Sequence, residues 1–178
     1  MRQNESREVA LRSPEGEQKP GEPFVQELLW VHDMIRRDLI AVRKLAAAAL
    51  DGAPPEALSA EIESLQTKGP LWKLRMNCMH YCRFVHGHHS LEDQALFPAL
   101  LESNPGLSPV IGRLEADHRA IAVYLDEIAE SIGELQWDET PSSRQRLVAA
   151  LDSLSEHLFA HLDYEEEALS PTLRSWTG

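Results

Sequence analysis

The chain has 178 residues, 43% of them hydrophobic, and a formal net charge of −12; this is one domain by length and long enough to bury a core. So acidic a balance argues against nucleic acid or an anionic membrane surface as the main partner. No apolar run approaches the roughly 20 residues of a membrane span, and the polar start lacks the apolar stretch of a secretion signal, so the chain reads as cytoplasmic.

Residues 1–22 are rich in Glu, Gly, Pro and Ser without periodicity, and read as a disordered polar leader ahead of one domain over 23–175. Beyond them, apolar residues recur at spacings of three and four in four long stretches, and nothing alternates like a strand. The first helix is expected over 23–50, with Phe24, Leu28, Val31, Ile35, Leu39, Val42 and Leu45 on one face. Breakers at 51–55 and at Gly69-Pro70 flank a short candidate helix that reaches residue 66.

The second helix begins near Leu71 and carries Leu74, Cys78, Tyr81 and Val85 on its apolar seam. It ends around 103–106, with Pro98 expected to kink it. Cys78 and Cys82 sit one turn apart, a poor framework for a disulfide, and read as small buried hydrophobes in a reducing compartment. The third helix is expected over 107–133, with Leu107, Ile111, Leu114, Ile121, Leu125, Ile128 and Ile132 facing inward. After a linker over 133–141, Pro141-Ser142-Ser143 provide a cap region for the fourth, which carries Leu147, Leu151, Leu154 and Leu158. Four amphipathic helices joined in this way predict an all-α fold, an antiparallel up-down four-helix bundle.

The chain's eight histidines are clustered on those seams. Two segments, HHSLEDQALFP at 88–98 and HLDYEEEALSP at 161–171, are one motif written twice. Each places a His four residues before a Glu, so that both side chains share a helix face. Those pairs, His88 with Glu92 and His161 with Glu165, continue the second and fourth seams. His32 lies between Leu28 and Ile35 on the first seam, and His118 between Leu114 and Ile121 on the third.

Six ionisable residues thus take core positions: His32, His88, Glu92, His118, His161 and Glu165. Buried acids are costly unless they are paired or hold a metal. A polar network of these four His and two Glu could serve only to hold register, and a single His on an apolar face would favour that; four His, one per helix, with two Glu at matched offsets favour a two-metal site. Each half of the chain, a helix with one His followed by a helix with His-x3-Glu, would supply two nitrogens to one ion, with the two Glu able to bridge. His89 and Asp93 repeat the spacing one residue out of phase and rank as flanking groups, His157 is the best candidate for a fifth nitrogen, and His80 and His86 read as surface residues.

Mixed imidazole and carboxylate ligands suit iron, manganese or zinc rather than calcium or magnesium. With about four protein ligands per ion, a position stays open for an exogenous molecule, and apolar residues around it favour small neutral ligands.

The pattern VHDMIRRDL, HSLEDQALFP, ADHRAI and HLDYEEEALSP resembles the hemerythrin-like, HHE cation-binding family over about 25–172. The resemblance implies a hemerythrin-like bundle and a non-haem di-iron pair, with or without an oxo or hydroxo bridge. It assigns the ligands to His32, His88, Glu92, His118, His161 and Glu165. The chain departs from the oxygen-carrying members, which have a second His where Leu114 stands and an Asp five residues after the last motif's His. That counts against oxygen storage and for the bacterial members that resemble sensors or enzymes handling oxygen, nitric oxide or peroxide.

The expected function is therefore a di-iron protein that binds or reacts with a small diatomic or with peroxide, in sensing, detoxification or storage. The alternatives are a peroxide-decomposing or NO-reducing enzyme, in which Tyr81 could help to supply an electron or proton, and a ferritin-like iron-handling bundle. The last uses a Glu-x-x-His offset that these motifs lack. The sequence leaves open whether the protein is an enzyme, and its oligomeric state.

Overall fold

The computed structural model describes residues 20–50, 70–135, 137 and 140–176. Its helices are α1 (Glu22–Leu50), α2 (Pro70–Leu91), α3 (Phe97–Ser103), α4 (Ser108–Glu134) and α5 (Pro141–Ser175). A π-helical turn, Glu92–Leu96, joins α2 to α3 into one rod, and a 3-10 turn, Pro105–Leu107, leads into α4. Four rods result, and α1 packs on α2 and α5 while α4 packs on the same two from the opposite corner. The fold is an all-helical bundle. The leader expected over 1–22 and the short helix expected before residue 66 fall almost wholly outside the described residues.

The helical stretches follow the apolar periodicity, with differences at the ends. On α1, Val25 is buried and Phe24 is 41% exposed, its ring packing tilted against Trp176 beyond the far end of α5, with centroids 5.1 Å apart. Gly21 makes a close approach there: a Cβ on it would lie 1.6 Å from the Leu173 carbonyl oxygen, so the start of α1 can meet the end of α5 only without a side chain. α5 starts at Pro141, ahead of the Ser pair expected to cap it. Thr140 is the cap, its Oγ1 accepting from the Ser143 amide at 3.2 Å while Ser143 Oγ accepts from the Thr140 amide at 3.0 Å.

Pro98 acts through the turn before it. The Phe97 amide bonds to the Glu92 carbonyl, five residues back, so the rod takes up an extra residue just before a proline that could not donate to the ladder. The second copy of the motif carries Pro171 inside α5 with no such turn. The two copies are thus repeated in sequence and different in backbone.

The core is split in two. One cluster gathers Ile35, Leu39, Val85, Ile121, Leu154 and Leu158, and extends to Val42, Ile128 and Leu147. The other gathers Val25, Leu28, Phe97, Ile111, Leu114 and Leu169. Each buried Leu or Ile stabilises the fold by about 1.5–3 kcal/mol. The residues that separate the two clusters along every rod are the ionisable ones: His32, His89, Glu92, His118, His161 and Glu165 are all buried.

Candidate metal centre

Each rod delivers its polar residues at the level where the apolar seam is interrupted. α1 supplies His32 between Leu28 and Ile35, and α4 supplies His118 between Leu114 and Ile121. α5 supplies His161 and Glu165, one turn apart. α2 supplies two consecutive residues, His88 and His89, with Glu92 at the first residue of the π turn.

The side chains fall into two groups whose ligand atoms lie within 4.8 Å of one another: His89, His118 and His161, and His32, His88, Glu92 and Glu165. Opposed ligands of a first-row metal with bonds of about 2.0–2.2 Å stand about 4 Å apart, so a small contraction closes either group on an ion.

The glutamates lie between the groups. Glu92 Oε1 is 3.2 Å from His88 Nε2 in one group, and its Oε2 is 3.6 Å from His118 Nε2 in the other. Glu165 Oε2 is 3.5 Å from both His32 Nε2 and His161 Nε2. All four carboxylate oxygens, and Nε2 of His32, His88 and His89, are buried without a hydrogen-bond partner among the described residues. Orphaned buried acceptors of this kind cost about 1–3 kcal/mol each. The donor set, imidazole nitrogens with carboxylate oxygens, fits a cation.

The outer edges of the rings are held by a second ring of acids. His32 Nδ1 donates to Glu166 Oε1 at 2.8 Å, and that oxygen also accepts from Arg36 Nη1 at 2.7 Å. His118 Nδ1 donates to Asp93 Oδ1 at 2.8 Å. Both acids directly follow a cluster glutamate in sequence, and each reaches the lone His of the other half of the chain. Such bonds fix which ring nitrogen carries the proton and leave Nε2 free to coordinate. His161 is held more loosely, with Nδ1 3.9 Å from Asp117 Oδ2.

Burial, with the neighbouring imidazoles, holds the His32 ring down at about 2, His88 at about 4 and His161 at about 3, and pushes His89 lower still. Burial also lowers His118, with Asp93 pulling the other way. The rings are therefore neutral, lone pairs available, at any physiological pH. Burial drives Glu92 up to about 10, helped by Glu165, and drives Glu165 up to about 8. In the absence of a cation these carboxyls hold protons near neutrality.

The six residues singled out from the sequence come together at one level of the bundle. His32 and His88 fall in one group of ligand atoms, and His118 and His161 in the other. His89, ranked as flanking, is 5% exposed and stacks on His118 with centroids 4.0 Å apart. A signal for it existed: Cys78, Cys82, Val85, His89 and Glu92 step by four and three as well as the chosen register does.

His157, the candidate for a fifth nitrogen, lies elsewhere. It is exposed, with Nε2 3.1 Å from the Tyr124 hydroxyl and Nδ1 donating to the Ser153 carbonyl at 2.9 Å. Leu114 is fully buried in the second apolar cluster. Glu166 and Asp117 lie outside the sequence expectation, since acids on a polar face carry no mark in sequence.

A family model described as the hemerythrin HHE cation binding domain matches residues 24–173, and the chain belongs to that family. No curated protein and no solved structure matches it.

Proposed function

We propose that this member of the hemerythrin HHE family holds two non-haem irons and uses them to bind or react with a small molecule such as O₂, NO or peroxide. The observation that carries this reading is the position of Glu92 and Glu165, each within 3.6 Å of a nitrogen from both groups. Two carboxylates so placed suit a pair of ions at the roughly 3.5–4 Å of dinuclear sites.

His32 and His88 would hold one iron and His89, His118 and His161 the other, with both glutamates shared. His89 restores the nitrogen that Leu114 fails to provide, so the ligand count no longer argues against reversible oxygen binding. A pair of irons supplies one-electron redox steps and an open position for a small ligand. The chain's residues supply the rest: neutral imidazoles, outer acids that orient them, and apolar layers above and below that keep bulk water away. A cytoplasmic location goes with this reading, since the chain's two cysteines, Cys78 and Cys82, offer no disulfide framework.

Metal analysis of protein purified without air, followed by reduction and titration with O₂, NO and peroxide, tests this. About two irons per chain and an optical change with one of these ligands are expected. Finding no iron, with stability indifferent to a chelator, overturns it. Rapid oxygen evolution from peroxide would instead promote the enzyme reading.

A further inference from the structure

A groove of about 330 Å³ lies between α4 and α5. Glu156 and His157 stand at its exposed rim, while Ile121 and His161, both buried, close its inner end. The small side chains of Ala120 from α4 and Ala160 from α5 also line the groove. A water molecule's share of liquid volume is about 30 Å³, so the groove has room for several molecules of that size.

His161 belongs to both the groove and the cluster. Its Nε2 faces His118 Nε2 at 3.2 Å, whereas its Nδ1 has no hydrogen-bond partner among the described residues. The outer edges of His32 and His118 are closed by direct bonds to Glu166 and Asp93 at 2.8 Å, whereas the outer edge of His161 stands 3.9 Å from Asp117, beyond hydrogen-bond distance. The His161 ring is thus the wall between the groove and the two groups of ligand atoms. Asp117 and Glu156 outnumber the one cation of the lining, Arg113, which stacks at 3.6 Å on Tyr164. That balance, on a chain of net charge −12, disfavours anions.

We propose that small uncharged ligands reach the centre through this groove, passing between Ala120 and Ala160 and beside the His161 ring. The inference rests on the reading of the centre as a ligand-binding di-iron site. Ala120 and Ala160 are exposed, so larger side chains there fill the groove without disturbing the core. The test compares the rate of NO binding to the reduced, iron-loaded protein with that of the A120L/A160L variant, with A129L, on an exposed part of α4 outside the groove, as control.

Iron content and melting temperature should be unchanged in both variants, with NO binding slowed about tenfold or more in A120L/A160L alone, equivalent to about 1.4 kcal/mol of barrier. A160V, a smaller change, should slow it less in the same direction and serves if the double variant does not fold. A second readout needs no iron: xenon under pressure should occupy the inner end of the groove in the native protein and not in A120L/A160L. An unchanged NO rate in a loaded A120L/A160L, or an inner end that takes no xenon, overturns the proposal. Failure of the native protein to take up iron, or to give any NO signal, instead overturns the di-iron reading on which it rests.

Discussion

His32 and Glu166 tie the first rod to the last through a 2.8 Å bond from Nδ1 to Oε1, with Arg36 bound to the same oxygen at 2.7 Å. The bond crosses between the two halves of the repeated pattern, as its counterpart from His118 to Asp93 does. Outer acids of this kind set ring orientation and basicity. Glu166→Ala should therefore lower metal affinity by about 10–100-fold, read by competition with a chromophoric chelator. Glu166→Gln, which keeps an acceptor, should lower it less. Equal affinities for all three proteins would show that the bond only packs the surface.

His89 and His157 make opposite predictions although both had a claim to the fifth nitrogen. His89→Ala should reduce bound metal below that of the native protein, because His89 completes the group with His118 and His161. His157→Ala should leave metal content unchanged, because its ring bonds outward to Tyr124 and Ser153. Metal analysis of the two variants side by side decides between them.

Stability without metal should fall as pH rises above neutrality. Glu92 and Glu165 have folded values raised to about 10 and about 8 from an ordinary 4.5. Between those limits the folded state holds protons that the unfolded state has released, so raising pH favours unfolding. The histidines act in the opposite sense and in a lower window: held well below 6.5, they cost stability only as pH falls beneath that value. From pH 7 to 9 the glutamates dominate, with the buried thiols of Cys78 and Cys82, raised from 9.0, adding in the same direction only towards pH 9. The metal-free protein should lose at least about 1 kcal/mol, or roughly 2–4 °C in melting temperature, and the loaded protein should lose less. A metal-free melting curve that is flat over that range would contradict the burial of two protonated carboxyls.

The cap of α5 offers a test remote from the centre. Thr140→Ala removes the acceptor for the Ser143 amide and should cost about 1 kcal/mol, visible as a lower urea midpoint. Metal content should not change. Loss of metal in this variant would mean that the position of His161 and Glu165 depends on the start of a helix whose N-cap lies some twenty residues away.

The apolar steps of three and four, and the interruption of each by a histidine, were legible in sequence because helical periodicity is a local property and the burial of six ionisable side chains is too costly to be incidental. That much determined four helices, a shared polar level, and the pairing of His32 with His88 and of His118 with His161. The repeat suggested two equivalent halves, and there the local rule ran out. Only the tertiary structure decided that α2 contributes both His88 and His89, because at 3.6 residues per turn two adjacent side chains can straddle a seam, and which of them faces inward depends on the rods packed around them. Only packing, too, decided that Glu166 and Asp93 reach across to the other half's histidine, since acids on a polar face are indistinguishable until a partner helix is set beside them.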